Sequence, residues 1–172
     1  APKFINYYPD GSLPLPGNYM GLHPFQFDQL NVRDENLTGW PRKPEVIQMI
    51  LSDYYGLITH LDQQIGKIIS VLKENGQYDN TIIVYAADNG LAAGSHGLLG
   101  KQNLYEHSTK VPLINKGPGI PEGKEFDALT YLFDLYPTLS QLAGLPNPKE
   151  VTGKSLVPIL QGKETQVRGS LF

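Results

Sequence analysis

The sequence predicts an α/β fold, and three observations carry that prediction. Residues 44 to 74 repeat apolar positions at steps of three and four, the period of an amphipathic helix. Thr81-Ile-Ile-Val-Tyr-Ala-Ala87 is an apolar, β-branched run of strand length that ends abruptly in Asp88-Asn89-Gly90. A second short run, Val111-Pro-Leu-Ile114, follows a glycine-rich loop. Helical and strand patterns therefore alternate along a chain of 172 residues, which is one domain's worth of sequence and could also be a piece of something larger.

Composition narrows the class. Hydrophobic residues at 40% and charged residues at 18% give an ordinary globular balance rather than a disordered one. A net charge of -3 argues against a nucleic-acid partner, which would favour a basic surface. No apolar run is long enough to span a membrane, and no charged leader followed by an apolar stretch opens the chain. Cysteine is absent, which removes disulfides, thiolate metal sites and a cysteine nucleophile from these residues.

Residues 1 to 43 show no sustained period. Pro9, Pro14, Pro16, Pro24 and Pro41 alternate with glycines and aromatic residues, so this proline-rich segment reads either as a surface wrap or truncated element whose partner strands are missing, or as a substrate-side loop. In the second reading Arg33, Trp40 and Arg42 are its contacts. The helix opens at Pro44-Glu45, where proline and an acidic residue both suit a first turn. Its apolar face is Ile47, Ile50, Leu51, Tyr54, Leu57, Ile58, Leu61, Ile65, Ile68 and Leu72, and Asn75-Gly76 stops it. His60 lies within this pattern as a packing or exposed residue rather than a catalytic one.

The strand over 81–87 reads as buried, and it delivers Asp88 and Asn89 to its carboxyl end, the edge at which open α/β sheets bind ligands. Asn-Gly is also a hairpin signal, but Leu91-Ala-Ala-Gly-Ser-His-Gly97 offers no alternating partner strand. Carboxylate and amide oxygens suit a hard cation such as calcium or magnesium. Lys101 and His96 follow on the glycine-rich loop. Each reads either as a solvated surface group or as a group facing an anionic substrate, where an ammonium would stabilise developing charge. Further on, Lys116-Gly-Pro-Gly119 is a turn, Asp134 is the N-cap of a helix closed by Gly144, and a short helix covers Leu156 to Leu160. Residues 168–172 look like the start of another strand.

The block from Thr81 through Gly90, Gly94-Ser-His-Gly97, and Gly100-Lys-Gln-Asn-Leu-Tyr-Glu-His-Ser-Thr-Lys-Val-Pro-Leu-Ile114 closely resembles the sulfatase family, within the alkaline-phosphatase-like superfamily. The resemblance extends over Tyr54-Tyr-Gly-Leu-Ile-Thr-His-Leu-Asp62, Asp134-Leu-Tyr-Pro-Thr138 and Gly153-Lys-Ser-Leu156. It implies a partial alkaline-phosphatase-like sandwich, with a central mixed sheet and flanking helices, in which residues 44–172 are the C-terminal part of the catalytic domain, incomplete at both ends.

By the same resemblance, Asp88 and Asn89 match one pair of calcium ligands and Lys101 matches a catalytic lysine that contacts the sulfate near its leaving oxygen. His96 and His107 fall on loops that look substrate-facing. Implied cofactors are calcium, shared with ligands outside these residues, and a formylglycine nucleophile. The Cys/Ser-x-Pro-x-Arg element that supplies the nucleophile does not occur here, nor does the other aspartate pair. The expected parent is thus a periplasmic or secreted hydrolase of sulfate esters, plausibly of carbohydrates, with a sulfated small molecule or carbohydrate and the N-terminal half of the same protein as partners. These residues alone would be inactive. A phosphodiesterase or phosphonate monoester hydrolase of the same superfamily is the alternative enzyme, and a non-catalytic binding module that retains the fold is the alternative class.

Overall fold

A computed structural model describes residues 4, 6–147 and 150–172. The chain forms two compact units, one of Ala1–Glu74 with Asn89–Val111 and one of Asn75–Asp88 with Pro112–Phe172.

The first unit is built on α1, Pro44–Glu74, a 31-residue helix roughly 46 Å long at helical rise. Pro44 and Glu45 start it, Lys73 lies in its last turn, and Gly76 at φ 67° stops the chain from continuing. Ile47 and Leu51 from its first turns meet Leu99 in a small core, with Leu13, Leu15, Tyr19, Ile50 and Ala93 packed around them. The predicted apolar face is therefore covered at one end only. Farther along, Leu57, Leu61 and Ile68 are exposed. Among the described residues before α1 there are short 3-10 turns, at Asp28–Asn31 and Arg33–Glu35, and no strand longer than the single bridge Tyr19↔Ser95.

The second unit holds a two-stranded antiparallel sheet of β1, Ile83–Ala86, and β2, Leu113–Lys116. Its register pairs Ile83 with Lys116 and Ala86 with Leu113. The second strand starts two residues later than the sequence suggests, because Pro112 has no N–H to give a ladder, and it runs through Lys116 into the predicted turn. β1 is not fully buried: Tyr85 and its partner Ile114 share an outward face. Two short helices follow, α3 at Leu135–Leu142 and α4 at Val157–Leu160; between β1 and β2 in the chain, the other unit contributes α2, Glu106–Thr109. The α/β class stands, and among the described residues the sheet consists of these two strands.

Two expectations for the second unit are corrected. Asp134 is not a side-chain N-cap of α3: its carboxylate accepts from the N–H groups of Tyr131 and Lys154, both at 2.8 Å, and from Arg168. Residues 168–172 do not form a strand, because Arg168 is drawn to Asp134 and the N–H of Phe172 donates to the Tyr131 hydroxyl. Side-chain pairing here takes the place of a ladder. Thr138 completes the corner, donating to the Asp134 carbonyl at 2.6 Å and accepting the N–H of Leu156 at 2.8 Å. No helix among the described residues is long and apolar enough to cross a membrane.

Candidate active site

Within residues 89–111 the chain folds back on itself. The N–H groups of Ala92, Ala93 and Gly94 donate to the carbonyls of Gly100, Leu99 and Leu98, at 3.0, 3.2 and 2.7 Å. This makes a tight loop whose tip is Ser95-His96-Gly97. His96 takes φ 54° and Gly97 takes φ 76°. A Cβ on Gly97 would stand 2.7 Å from the backbone N of His23, so this residue has both a left-handed conformation and a crowded neighbour that exclude other side chains. Beyond the loop, Asn103 Oδ1 accepts from the N–H of Tyr105 and the hydroxyl of Ser108, which fixes the entry to α2.

This folding brings Lys101 to Asn89. The ammonium lies 2.9 Å from Asn89 Oδ1, while Asn89 Nδ2 donates to the Gly90 carbonyl, so the amide's orientation is set from both ends. Asp88 is the exposed residue immediately before Asn89, one peptide bond away and the last of the other unit's first segment. The sequence pattern put the asparagine and the lysine twelve residues apart on one loop; the fold makes them hydrogen-bonded partners.

His96 and His107 also come together, their ring centroids 5.9 Å apart. Tyr105 lies beside both rings, stacked on His96 at 4.2 Å and 15° and 5.5 Å from His107. Asn18 Nδ2 lies 3.0 Å from His96 Nε2, so that nitrogen is the acceptor, and His23 Nδ1 lies 2.8 Å from the His96 carbonyl oxygen. Burial, helped by the nearby His96 and opposed by Glu35, holds the His107 imidazole below its usual 6.5, and its Nε2 is a buried polar atom without a hydrogen-bond partner.

Three residues of this cluster, Asn18, His23 and Tyr105, were not legible as site residues. Tyr105 stands inside the motif block, but Asn18 and His23 lie in the aperiodic segment, 78 and 73 residues from the positions they contact. No local signal ties them to the loop.

Of the three contacts expected from residues 1–43, Arg42 is not at a substrate surface. It is 1% exposed and its guanidinium lies 3.6 Å from the centroid of the Trp40 ring. It pairs with Glu35 at 2.7 Å and also donates to carbonyls of Thr38, Glu35 and Gly97. Each of the three guanidinium nitrogens donates to a partner inside the fold, so the residue is structural. Arg33 is solvent-exposed and pairs with the adjacent Asp34 at 2.8 Å. Hydrogen bonds from Gln102 and Arg33 hold the Asp34 carboxyl below the usual carboxylate value.

The donor set fits a hard cation in kind but not in number. Asp88 and Asn89 supply two oxygen-bearing side chains where calcium takes six to eight oxygens. No group of three or more histidine, aspartate or glutamate side chains among the described residues could hold a metal.

Comparison with known proteins places the chain. The Sulfatase family model matches residues 7–145. Human arylsulfatase K is 36% identical over 138 residues, covering 80% of this chain and 25% of that protein. A phosphonate monoester hydrolase from Silicibacter pomeroyi superposes with a TM-score of 0.77 at 33% identity, covering 98% of this chain and 35% of that one. An enzyme solved in complex with its substrate D-glucosamine-2-N,6-O-disulfate superposes with a TM-score of 0.67 at 31% identity, covering 76% of this chain and 27% of that one. The chain belongs to the sulfatase family and has part of its alkaline-phosphatase-like fold. It spans about a quarter to a third of the length of these relatives.

Proposed function

We propose that the protein to which these residues belong is a calcium-dependent sulfatase that hydrolyses sulfate esters of carbohydrates, acting outside the cytoplasm. The observation that supports this most is the Lys101–Asn89 contact on a loop that lies within the residues matched by the Sulfatase family model. Asp88 and Asn89 would contribute ligands to calcium, with the remaining oxygens coming from outside these residues. When bound, the metal would neutralise sulfate oxygens as a Lewis acid and template. The nucleophile, a formylglycine in this reading, also comes from outside.

The chain's own residues then divide the rest of the work. Lys101 places an ammonium where negative charge grows on the leaving oxygen, so its attraction is stronger in the transition state than in the ground state. His96 and His107, with Tyr105 beside them, offer imidazole nitrogens to sulfate or hydroxyl groups and a flat aromatic face to a sugar ring. Residues 1–43 contribute the substrate-side segment that carries Asn18 and His23 to that cluster.

The likeness to a phosphonate monoester hydrolase, which covers nearly the whole chain, supports a second reading in which the substrate is a phosphonate or phosphate ester. One comparison separates the two. The full-length protein, assayed on matched aryl sulfates and aryl phosphonates, is expected to turn over the sulfate faster and to lose that activity to a calcium chelator. Faster turnover of the phosphonate would establish the second reading, and a coding sequence without a Cys/Ser-x-Pro-x-Arg element would sink the first.

A further inference from the structure

Lys101 is mobile by nature: a long side chain on an exposed loop carries about 2 kcal/mol of rotamer entropy. A group that acts on a transition state has to be held by its surroundings. The residues on both sides of Lys101 are held by a neighbouring segment, the backbone before it and the Gln102 side chain after it. Glu35, 3% exposed, accepts the N–H of Gly100 at 2.7 Å and that of Leu99 at 3.0 and 3.1 Å. Gly100 lets the carboxylate come this close, since a Cβ there would stand 3.1 Å from Glu35 Oε1. On the other side, Asp34 Oδ2 accepts from Gln102 Nε2 at 2.9 Å, and Gln102 Oε1 accepts the N–H of Lys101 at 3.2 Å.

A buried carboxylate that collects backbone N–H groups must also be neutralised, or its burial would be costly. Arg42 does this at 2.7 Å while its Nε donates to the Gly97 carbonyl at 3.3 Å, so one guanidinium touches both the clamp and the loop it holds. Neither Glu35 nor Asp34 touches Lys101 Nζ.

We propose that Glu35 and Asp34 are positioning residues for Lys101, Glu35 by holding the backbone that leads into it and Asp34 by holding the Gln102 side chain that accepts its N–H, so that its ammonium is delivered to Asn89 and to the reacting ester. The inference rests on the role given above to Lys101. It adds that catalytic placement is set by two carboxylates some 65 residues upstream, through hydrogen bonds to Leu99, Gly100 and Gln102.

The test is a double-mutant cycle in the full-length protein on aryl sulfates of graded phenol acidity. Lys101→Ala is expected to lower kcat by about 10²- to 10³-fold, as loss of one charge-stabilising donor does, and to steepen the dependence on phenol acidity. Glu35→Gln should lower kcat by about 10- to 100-fold, the scale of a misplaced catalytic group, with KM within about threefold, and should steepen the same dependence. Added to Lys101→Ala, it should cost less than about twofold more, since there is no longer an ammonium to place. Asp34→Asn, at a partly exposed carboxylate, should lower kcat about threefold and couple in the same way; it decides the matter should Glu35→Gln not fold. Folded Glu35→Gln with wild-type kcat, or losses that multiply in the double variant, would overturn the proposal while leaving the role of Lys101 intact. Wild-type activity in Lys101→Ala would overturn both.

Discussion

Two buried arginine–carboxylate pairs, one in each compact unit, use the same chemistry to different ends. Glu35 and Arg42 are seven residues apart; Asp134 and Arg168 are separated by 34. Each carboxylate also accepts two backbone N–H groups. Glu35 takes those of Leu99 and Gly100, next to Lys101, whereas Asp134 takes those of Tyr131 and Lys154 at a corner with no candidate site residue. Their electrostatics differ as well. Burial pulls the Arg42 guanidinium down, with Glu35 only partly opposing it, while hydrogen bonding to Asp134 raises Arg168. The first pair is spent on placing a loop. The second holds a unit that, among the described residues, has a two-stranded sheet and a small buried apolar set.

The largest effect that could break this contrast comes from deleting each carboxylate. Asp134→Ala and Glu35→Ala should each destabilise by about 3–5 kcal/mol, because each leaves an arginine, buried Arg42 or half-buried Arg168, and two backbone N–H groups without their carboxylate. Urea unfolding of the full-length protein measures that loss, and kcat of the folded fraction separates the pairs. Activity should hold for the Asp134 variant and fall for the Glu35 variant. Equal catalytic losses would erase the distinction.

A smaller effect is expected in acid. Burial by itself would raise the Asp134 carboxyl, but the Arg168 guanidinium and the N–H groups of Lys154 and Tyr131 outweigh it and hold the group below its ordinary 3.8. A depressed folded value means that the stabilisation is fully present above 3.8 and is lost as the pH falls through the lower folded value. Urea midpoints from about pH 5 to about pH 2 should therefore fall more steeply for the wild type than for Asp134→Asn. Parallel slopes would remove Asp134 from the acid response.

The smallest effect sharpens the comparison from outside. Arg33 also pairs with a neighbouring carboxylate, but its side chain is 90% exposed. Arg33→Ala should change stability by less than about 0.5 kcal/mol, since a solvated pair competes with water and salt. A loss on the scale of the buried pairs would mean that burial is not what distinguishes them.

The elements read from local pattern are present where that pattern is strong. α1 spans the periodic stretch, β1 falls inside the apolar run, and Gly76 and Gly144, both at positive φ, follow the helices they close. The pattern failed where side chains replaced ladders: residues 168–172 looked like a strand and are held by Arg168 instead. It also overstated burial, since the outer turns of α1 keep their period yet leave Leu57, Leu61 and Ile68 exposed. Periodicity reports which face is apolar, not what covers it.

By itself, then, the sequence determined the family, the α/β class and the loop that carries Asn89, His96, Lys101 and His107. Those are properties of contiguous residues, and a motif block with its glycines is legible because its physics is local. Only the tertiary structure decided that Arg42 is a buried clamp rather than a substrate contact, and that Asn18 and His23 join the histidine cluster. It alone showed that Glu35 holds the backbone before Lys101. A carboxylate and an N–H 65 residues apart carry no mark of each other in the chain, and only folding brings them to hydrogen-bonding distance.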